Sequence, residues 1–96
     1  MAEAILEICN KKGLHARAAA KFVKVVAAHS AQVRVSKLSG SGEPEGEAVT
    51  GSSILGLMMF GADKGTKLKV SAEGEQAGVV VAALKELVEN KFGEGE

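Results

Sequence analysis

Lys11-Lys12-Gly13-Leu14-His15-Ala16-Arg17-Ala18-Ala19-Ala20-Lys21-Phe22 reads as a loop that turns at glycine, presents one histidine and then enters a helix. Ala16 to Ala20 is nearly all strong helix former. Ala19, Phe22, Val23 and Val26 recur at i, i+3, i+4 and i+7, the spacing of one apolar helix face. The helix is expected from about Ala16 to Ala28, with His15 at or just before its first turn. Backbone N–H groups without helical partners gather there, at the positive end of the dipole, and favour an anion such as a phosphate. Arg17 adds a permanently charged fork of donors suited to phosphate oxygens. An imidazole nucleophile thus stands beside a cradle for the group it would carry, with Ala16 and Arg17 as the phosphate-binding residues.

Arg17, Lys21 and Lys24 share the polar stripe of this helix, so three cations are expected on one exposed face beside His15. The stripe reads either as an ordinary solvated face or as a docking surface for an acidic partner. His29 falls at the helix C-terminus, where an imidazole suits the dipole, and no arginine follows it in phosphate-binding register. It is a helix-end residue rather than a site candidate.

Upstream, Ala4-Ile5-Leu6-Glu7-Ile8-Cys9 reads as a strand, with Ala4, Leu6 and Ile8 inward and Glu7 outward. Downstream, Gln32-Val33-Arg34-Val35-Ser36-Lys37-Leu38 alternates and is a second strand. Ser39 to Glu47 is turn chemistry, with three glycines and the single proline. It reads as a long surface connection before a short strand at Ala48-Val49-Thr50. Thr66 to Ala72 is a fourth strand, Glu73-Gly74-Glu75 a turn, and Gln76 to Lys91 a helix whose stripe is Ala77, Val80, Val81, Leu84, Leu87 and Val88. Gly93-Glu94-Gly95-Glu96 reads as a frayed tail.

Between the third and fourth strands lies Gly51-Ser52-Ser53-Ile54-Leu55-Gly56-Leu57-Met58-Met59-Phe60-Gly61-Ala62-Asp63-Lys64-Gly65. A serine before an apolar run is a good N-cap, and Gly61 and Gly65 can close the element. The helix is short and apolar nearly all round. If Leu57 and Phe60 point inward, some of Leu55, Met58 and Met59 must be exposed. Such a patch, with flexible methionines, suits a protein that binds several partners.

The whole order is β-α-β-β-α-β-α, an α+β arrangement. One four-stranded antiparallel sheet with three helices on one face satisfies it most simply. Ninety-six residues suit a single domain, residues 1–96. Twelve basic and twelve acidic side chains cancel, which argues against nucleic acid as a principal partner. The lone Cys9 can form no internal disulfide, which fits a reducing compartment, and lacks the second thiolate that a metal carrier needs. The N-terminus shows no signal-peptide pattern and no apolar run is long enough to span a bilayer, so a cytoplasmic location is expected.

Gly13-Leu14-His15-Ala16-Arg17 resembles the active-site segment of the histidine-containing phosphocarrier protein (HPr) family of the bacterial phosphoenolpyruvate-dependent phosphotransferase system. Ser53-Ile54-Leu55-Gly56-Leu57-Met58 resembles the regulatory-serine helix of the same family, with Ser53 in the serine position. The two motifs stand in the right order, and the resemblance covers nearly the whole chain. Most members carry proline after the arginine; Ala18 replaces it here, and alanine preserves the helix. The resemblance implies an open-faced β-sandwich with strands in the order 1-4-2-3, and the His15 loop beside the Ser53 helix. It implies phosphoryl transfer to Nδ1 of His15 from phosphorylated enzyme I, then onward to a histidine of an enzyme IIA domain. It also implies an HPr kinase/phosphorylase acting on Ser53. Docking is expected through Ala20, Ile54, Leu55 and Met58. A monomer with no metal, no cofactor and no membrane insertion is the corresponding expectation.

Three rivals remain at this point. A carrier of the same fold could serve the nitrogen-related branch rather than sugar transport, a reading towards which Ala18 leans. A small acylphosphatase-like enzyme could use His15 and Arg17, but it needs a further group to position water, and the motifs offer none. A non-catalytic module could use the apolar patch alone.

Overall fold

Alternation along the strands decides which side of the sheet is covered. Leu6, Val33, Val35, Leu68, Val70 and Ala72 are all buried, whereas Glu3, Glu7, Arg34 and Lys67 are exposed. The structure, a computed structural model, describes residues 2–93. In chain order they form β1 (Ala2–Glu7), α1 (Ala16–Ala27), β2 (Gln32–Leu38), β3 (Pro44–Thr50), α2 (Ile54–Met58), β4 (Lys67–Glu73) and α3 (Ala77–Glu89), then a 3-10 turn at Lys91–Gly93. The strands make one antiparallel sheet in the order β1-β4-β2-β3, as expected for the open-faced sandwich. Leu6 stands opposite Leu68, and Val35 opposite Val70, so the ladder itself pairs the inward residues.

The helices supply the other half of the core. Ala18, Ala19, Phe22 and Val26 of α1, Leu57 of α2, and Val80, Val81, Leu84 and Val88 of α3 join the strand residues in one apolar cluster. Burying each large member is worth roughly 1.5–3 kcal/mol, which is why these stripes and not intrinsic propensity fix the helices in place. Leu38 is buried as well but stands outside that cluster.

Four boundaries differ from the sequence reading. β1 begins at Ala2 and ends at Glu7; Ile8 continues instead into loop pairing, its N–H donating to the Thr66 carbonyl at 2.8 Å and its own carbonyl accepting from Gly65 at 2.7 Å. β3 begins at Pro44 rather than Ala48, so the connection is shorter than the expected Ser39–Glu47 turn. The hairpin register shifts between Val35 and Lys37, and Gly46 at φ +69° provides the backbone turn that the shift requires. β4 lies one residue further on than expected, at Lys67–Glu73. Finally, α3 ends at Glu89, and Lys91 and Phe92 both adopt left-handed backbone angles. That turn swings Phe92 into the core, a placement that the sequence reading missed. Of the expected tail, Gly93 belongs to this turn and residues 94–96 lie outside the described residues.

The same turn corrects the cationic stripe on α1. Arg17 and Lys24 are exposed, but Lys21 is half-buried and its Nζ donates to the Phe92 carbonyl at 2.5 Å. Lys21 therefore fastens the C-terminal turn to α1 instead of adding a third outward charge. Lys21→Met is expected to lower stability by about 1 kcal/mol. The checks are a lower urea midpoint and faster amide exchange at the turn that follows α3.

Candidate functional site

The loop before α1 is held by backbone. Asn10 is fully buried; its Nδ2 donates to the Gly13 carbonyl at 2.8 Å, while the Gly13 N–H donates to the Asn10 carbonyl at 3.2 Å. Gly13 turns with φ +71°, and a Cβ built there would lie 2.3 Å from the Ala62 carbonyl oxygen. One residue on, the Leu14 N–H donates to that same carbonyl at 2.9 Å, and the Leu14 side chain is buried. Glycine is required at position 13 for both the angle and the close approach.

His15 follows in extended conformation as the N-cap of α1. Its carbonyl accepts the first helical bond, from Ala19 at 2.8 Å, and its Nδ1 accepts the Arg17 N–H at 3.3 Å. A nitrogen that accepts a bond carries a lone pair, so in the neutral ring the proton resides on Nε2. At 3.3 Å the bond is long and therefore weak. The ring is half-exposed, Ala16 and Arg17 are exposed, and the first turn of α1 has no acidic residue. An anion arriving at Nδ1 meets the helix dipole and the Arg17 amide with no carboxylate in that turn to oppose it.

His29 is arranged differently. Its Nδ1 lies 2.7 Å from the Val25 carbonyl and must donate to it, which makes the residue a helix-end bond as expected. Cys9 is half-buried, with its thiol donating to the Val88 carbonyl at 3.1 Å, in keeping with a structural part.

Ser53 caps α2: its Oγ accepts the Gly56 N–H at 2.9 Å. The helix turns Leu57 fully inward and leaves Ile54, Leu55, Met58 and Met59 exposed. Phe60 is half-buried, and its carbonyl accepts from Lys37 Nζ at 3.2 Å, tying the end of α2 to the sheet. Gly61 at φ +60° closes the helix, its N–H donating to the Met58 carbonyl at 3.2 Å, whereas Gly65 belongs to the following loop. α2 packs against α1, on which Ala20 is exposed. The structure thus brings the helix led by His15 and the helix led by Ser53 into contact.

Asn10 and Ala62 are the site-building residues that sequence reasoning passed over. An asparagine three residues before a glycine is a turn signal and pointed to the first. Nothing local pointed to Ala62, because its part is played by a main-chain carbonyl from a distant loop. Among the described residues, no group of three His, Cys, Asp or Glu side chains is placed to hold a metal ion. No helix of the described residues is long and apolar enough to cross a membrane.

Residues 2–90 match the family described as PTS HPr component phosphorylation site. The chain is 50% identical over 91 residues to the phosphocarrier protein HPr of Pseudomonas aeruginosa, a match covering 95% of this chain and 94% of that protein. Its fold is similar to the crystal structure of HPr-C-His from Thermoanaerobacter tengcongensis, with a TM-score of 0.84, 41% identity and coverage of 98% of each chain. It is also similar to the HPr dimer from the same organism, with a TM-score of 0.70, 41% identity, and coverage of 98% of this chain and all of that one (100%).

Proposed function

The chain belongs to the HPr family of phosphocarriers of the phosphotransferase system, and from that premise we propose that His15 is the residue that carries the phosphoryl group. Phosphorylated enzyme I is the donor, and a histidine on an enzyme IIA domain is the acceptor. The observation that supports this reading most is the Nδ1 lone pair of His15, turned towards the Arg17 amide at the start of α1.

The step follows from that geometry. Nδ1 attacks phosphorus in line, the Nδ1–P bond forms, and the donor's bond to phosphorus breaks with its electron pair leaving on the donor. The Arg17 N–H, released from the ring nitrogen, then donates to a phosphoryl oxygen, with the Ala16 backbone and the Arg17 guanidinium beside it. The hold stays modest, because a carrier that stabilised its cargo strongly could not hand it on. Docking runs over Ala20, Ile54, Leu55 and Met58, which are exposed on the two neighbouring helices. The working unit in this reading is a cytoplasmic monomer of one domain, residues 1–96, with no metal, cofactor, nucleic acid or membrane insertion. Incubation with enzyme I and labelled phosphoenolpyruvate tests it: the label should be acid-labile and map to His15, not to His29. The enzyme IIA that then accepts the label separates the sugar branch from the nitrogen-related one.

Ser53 is the regulatory site in this reading, modified by an HPr kinase/phosphorylase. Phosphate there would add about two negative charges at a helix start, locally tolerated, but in the middle of the apolar docking patch. Enzyme I would then bind more weakly through repulsion and desolvation. Ser53→Ala is expected to remove ATP-dependent labelling by the kinase and to cost about 1 kcal/mol through the lost cap. Labelling that persists unchanged in this variant would transfer the role to another hydroxyl, of which exposed Ser52 is the neighbour.

A further inference from the structure

The chain has three methionines, and the two internal ones, Met58 and Met59, are adjacent. Met58 is 41% exposed, Met59 78% and Leu55 69%. Spacings of three and four residues place both methionines beside Leu55 on one side of the turn, opposite the fully buried Leu57. Both thioethers therefore belong to the apolar surface rather than to the core, where a methionine is ordinarily shielded from oxidants. The helix does not need sulfur at either position: leucine is as good a helix former and as apolar.

We propose that Met58 and Met59 form a paired oxidation site whose conversion to sulfoxides weakens docking to enzyme I; this rests on the carrier reading above. A sulfur lone pair attacks one oxygen of a peroxide. The O–O bond breaks as the S–O bond forms, and the departing hydroxide takes a proton to become water. Each sulfur loses two electrons and each peroxide gains two. The product is a strongly polar group in the centre of a patch that has to be desolvated when a partner lands. An uncompensated polar group in such a place weakens the complex by about tenfold. The lesion is reversible, since a dithiol-dependent sulfoxide reductase returns the thioether and water. His15 takes no part in the change, so the chemistry at its ring is preserved while the donor docks more weakly.

The test treats the full chain with hydrogen peroxide, maps added oxygen by peptide mass, and follows phosphorylation by enzyme I. Oxygen is expected on both Met58 and Met59, with Met59 reacting faster. The KM for the treated chain should rise about tenfold with kcat within about twofold, and sulfoxide reductase should restore it. A Met58→Leu, Met59→Leu double variant keeps Met1 and Cys9. Its ratio of treated to untreated KM should stay near one, whatever its starting value. The proposal is overturned by an unchanged KM in the doubly oxidised chain, by an equal rise in the double variant, or by sulfurs that resist the peroxide. An untreated chain that accepts nothing from enzyme I would overturn the carrier reading itself, and this proposal with it.

Discussion

Replacing His15 with alanine is expected to abolish phosphoryl uptake from phosphoenolpyruvate through enzyme I while costing the fold less than about 1 kcal/mol. The asymmetry follows from what the ring does. The ring's contact with the Arg17 amide is 3.3 Å long, at the weak end for a cap. The bond that starts α1, from Ala19 to the His15 carbonyl, belongs to the main chain and survives the substitution. Removal of the imidazole, by contrast, leaves no nucleophile at the helix start. His29 is not placed to replace it: it follows the C-terminal end of α1, a helix length away from the amides at the helix start, and is bonded through Nδ1 to the Val25 carbonyl. Acid-labile label on His15→Ala at more than a trace, together with a native melting curve, would refute the assignment.

The second large effect is on stability. Gly13→Ala is expected to cost about 2–4 kcal/mol and to lower the melting temperature by roughly 10–25 °C. Two causes add. Alanine at φ +71° is in the left-handed region, and its Cβ would meet the Ala62 carbonyl oxygen at 2.3 Å. Relief requires the Ala62 loop to move, which breaks the Leu14 bond and shifts His15 with it, so transfer should slow as well. Gly42 supplies the control. It has a similar angle, φ +88°, but a Cβ there would meet nothing within 4 Å. Gly42→Ala should cost only about 1 kcal/mol, from strain alone. Equal losses in the two variants would show that the backbone angle, and not the contact with Ala62, governs position 13.

What could be read from the chain and what could not divides along a physical line. The strands and the two longer helices bury one face each, so period-2 and period-3.6 patterns expose them: Val33, Val35, Leu68 and Val70 on one side, Phe22, Val26, Val80 and Leu84 on the other. The cap residues His15 and Ser53 were legible for the same local reason, since a cap acts on amides two or three residues away. β3 escaped because nearly all of it is exposed, which leaves no pattern, and because Pro44 and Gly46 are turn residues by ordinary chemistry. The strand forms there anyway, since its partner β2 offers the pairing and a proline at an outer position loses no ladder bond. Phe92 escaped because its burial depends on two non-glycine residues with positive φ, a conformation that side chains alone do not announce. Of the candidate site, the histidine at the helix start and its helix were visible, but the Gly13–Ala62 approach was not, since it joins two loops through atoms that every residue possesses.

β3 has one more consequence. It is the last strand on its side of the sheet, and such strands are ready templates for pairing with a neighbouring molecule. Here the outer rim offers Pro44, the carboxylates Glu45 and Glu47, and a break in its own spacing opposite Val35 and Lys37. An incoming strand would find a missing donor, repulsive charge and a ladder that falls out of step within a few residues. These features disfavour the growth of stacked sheets from this side of the molecule.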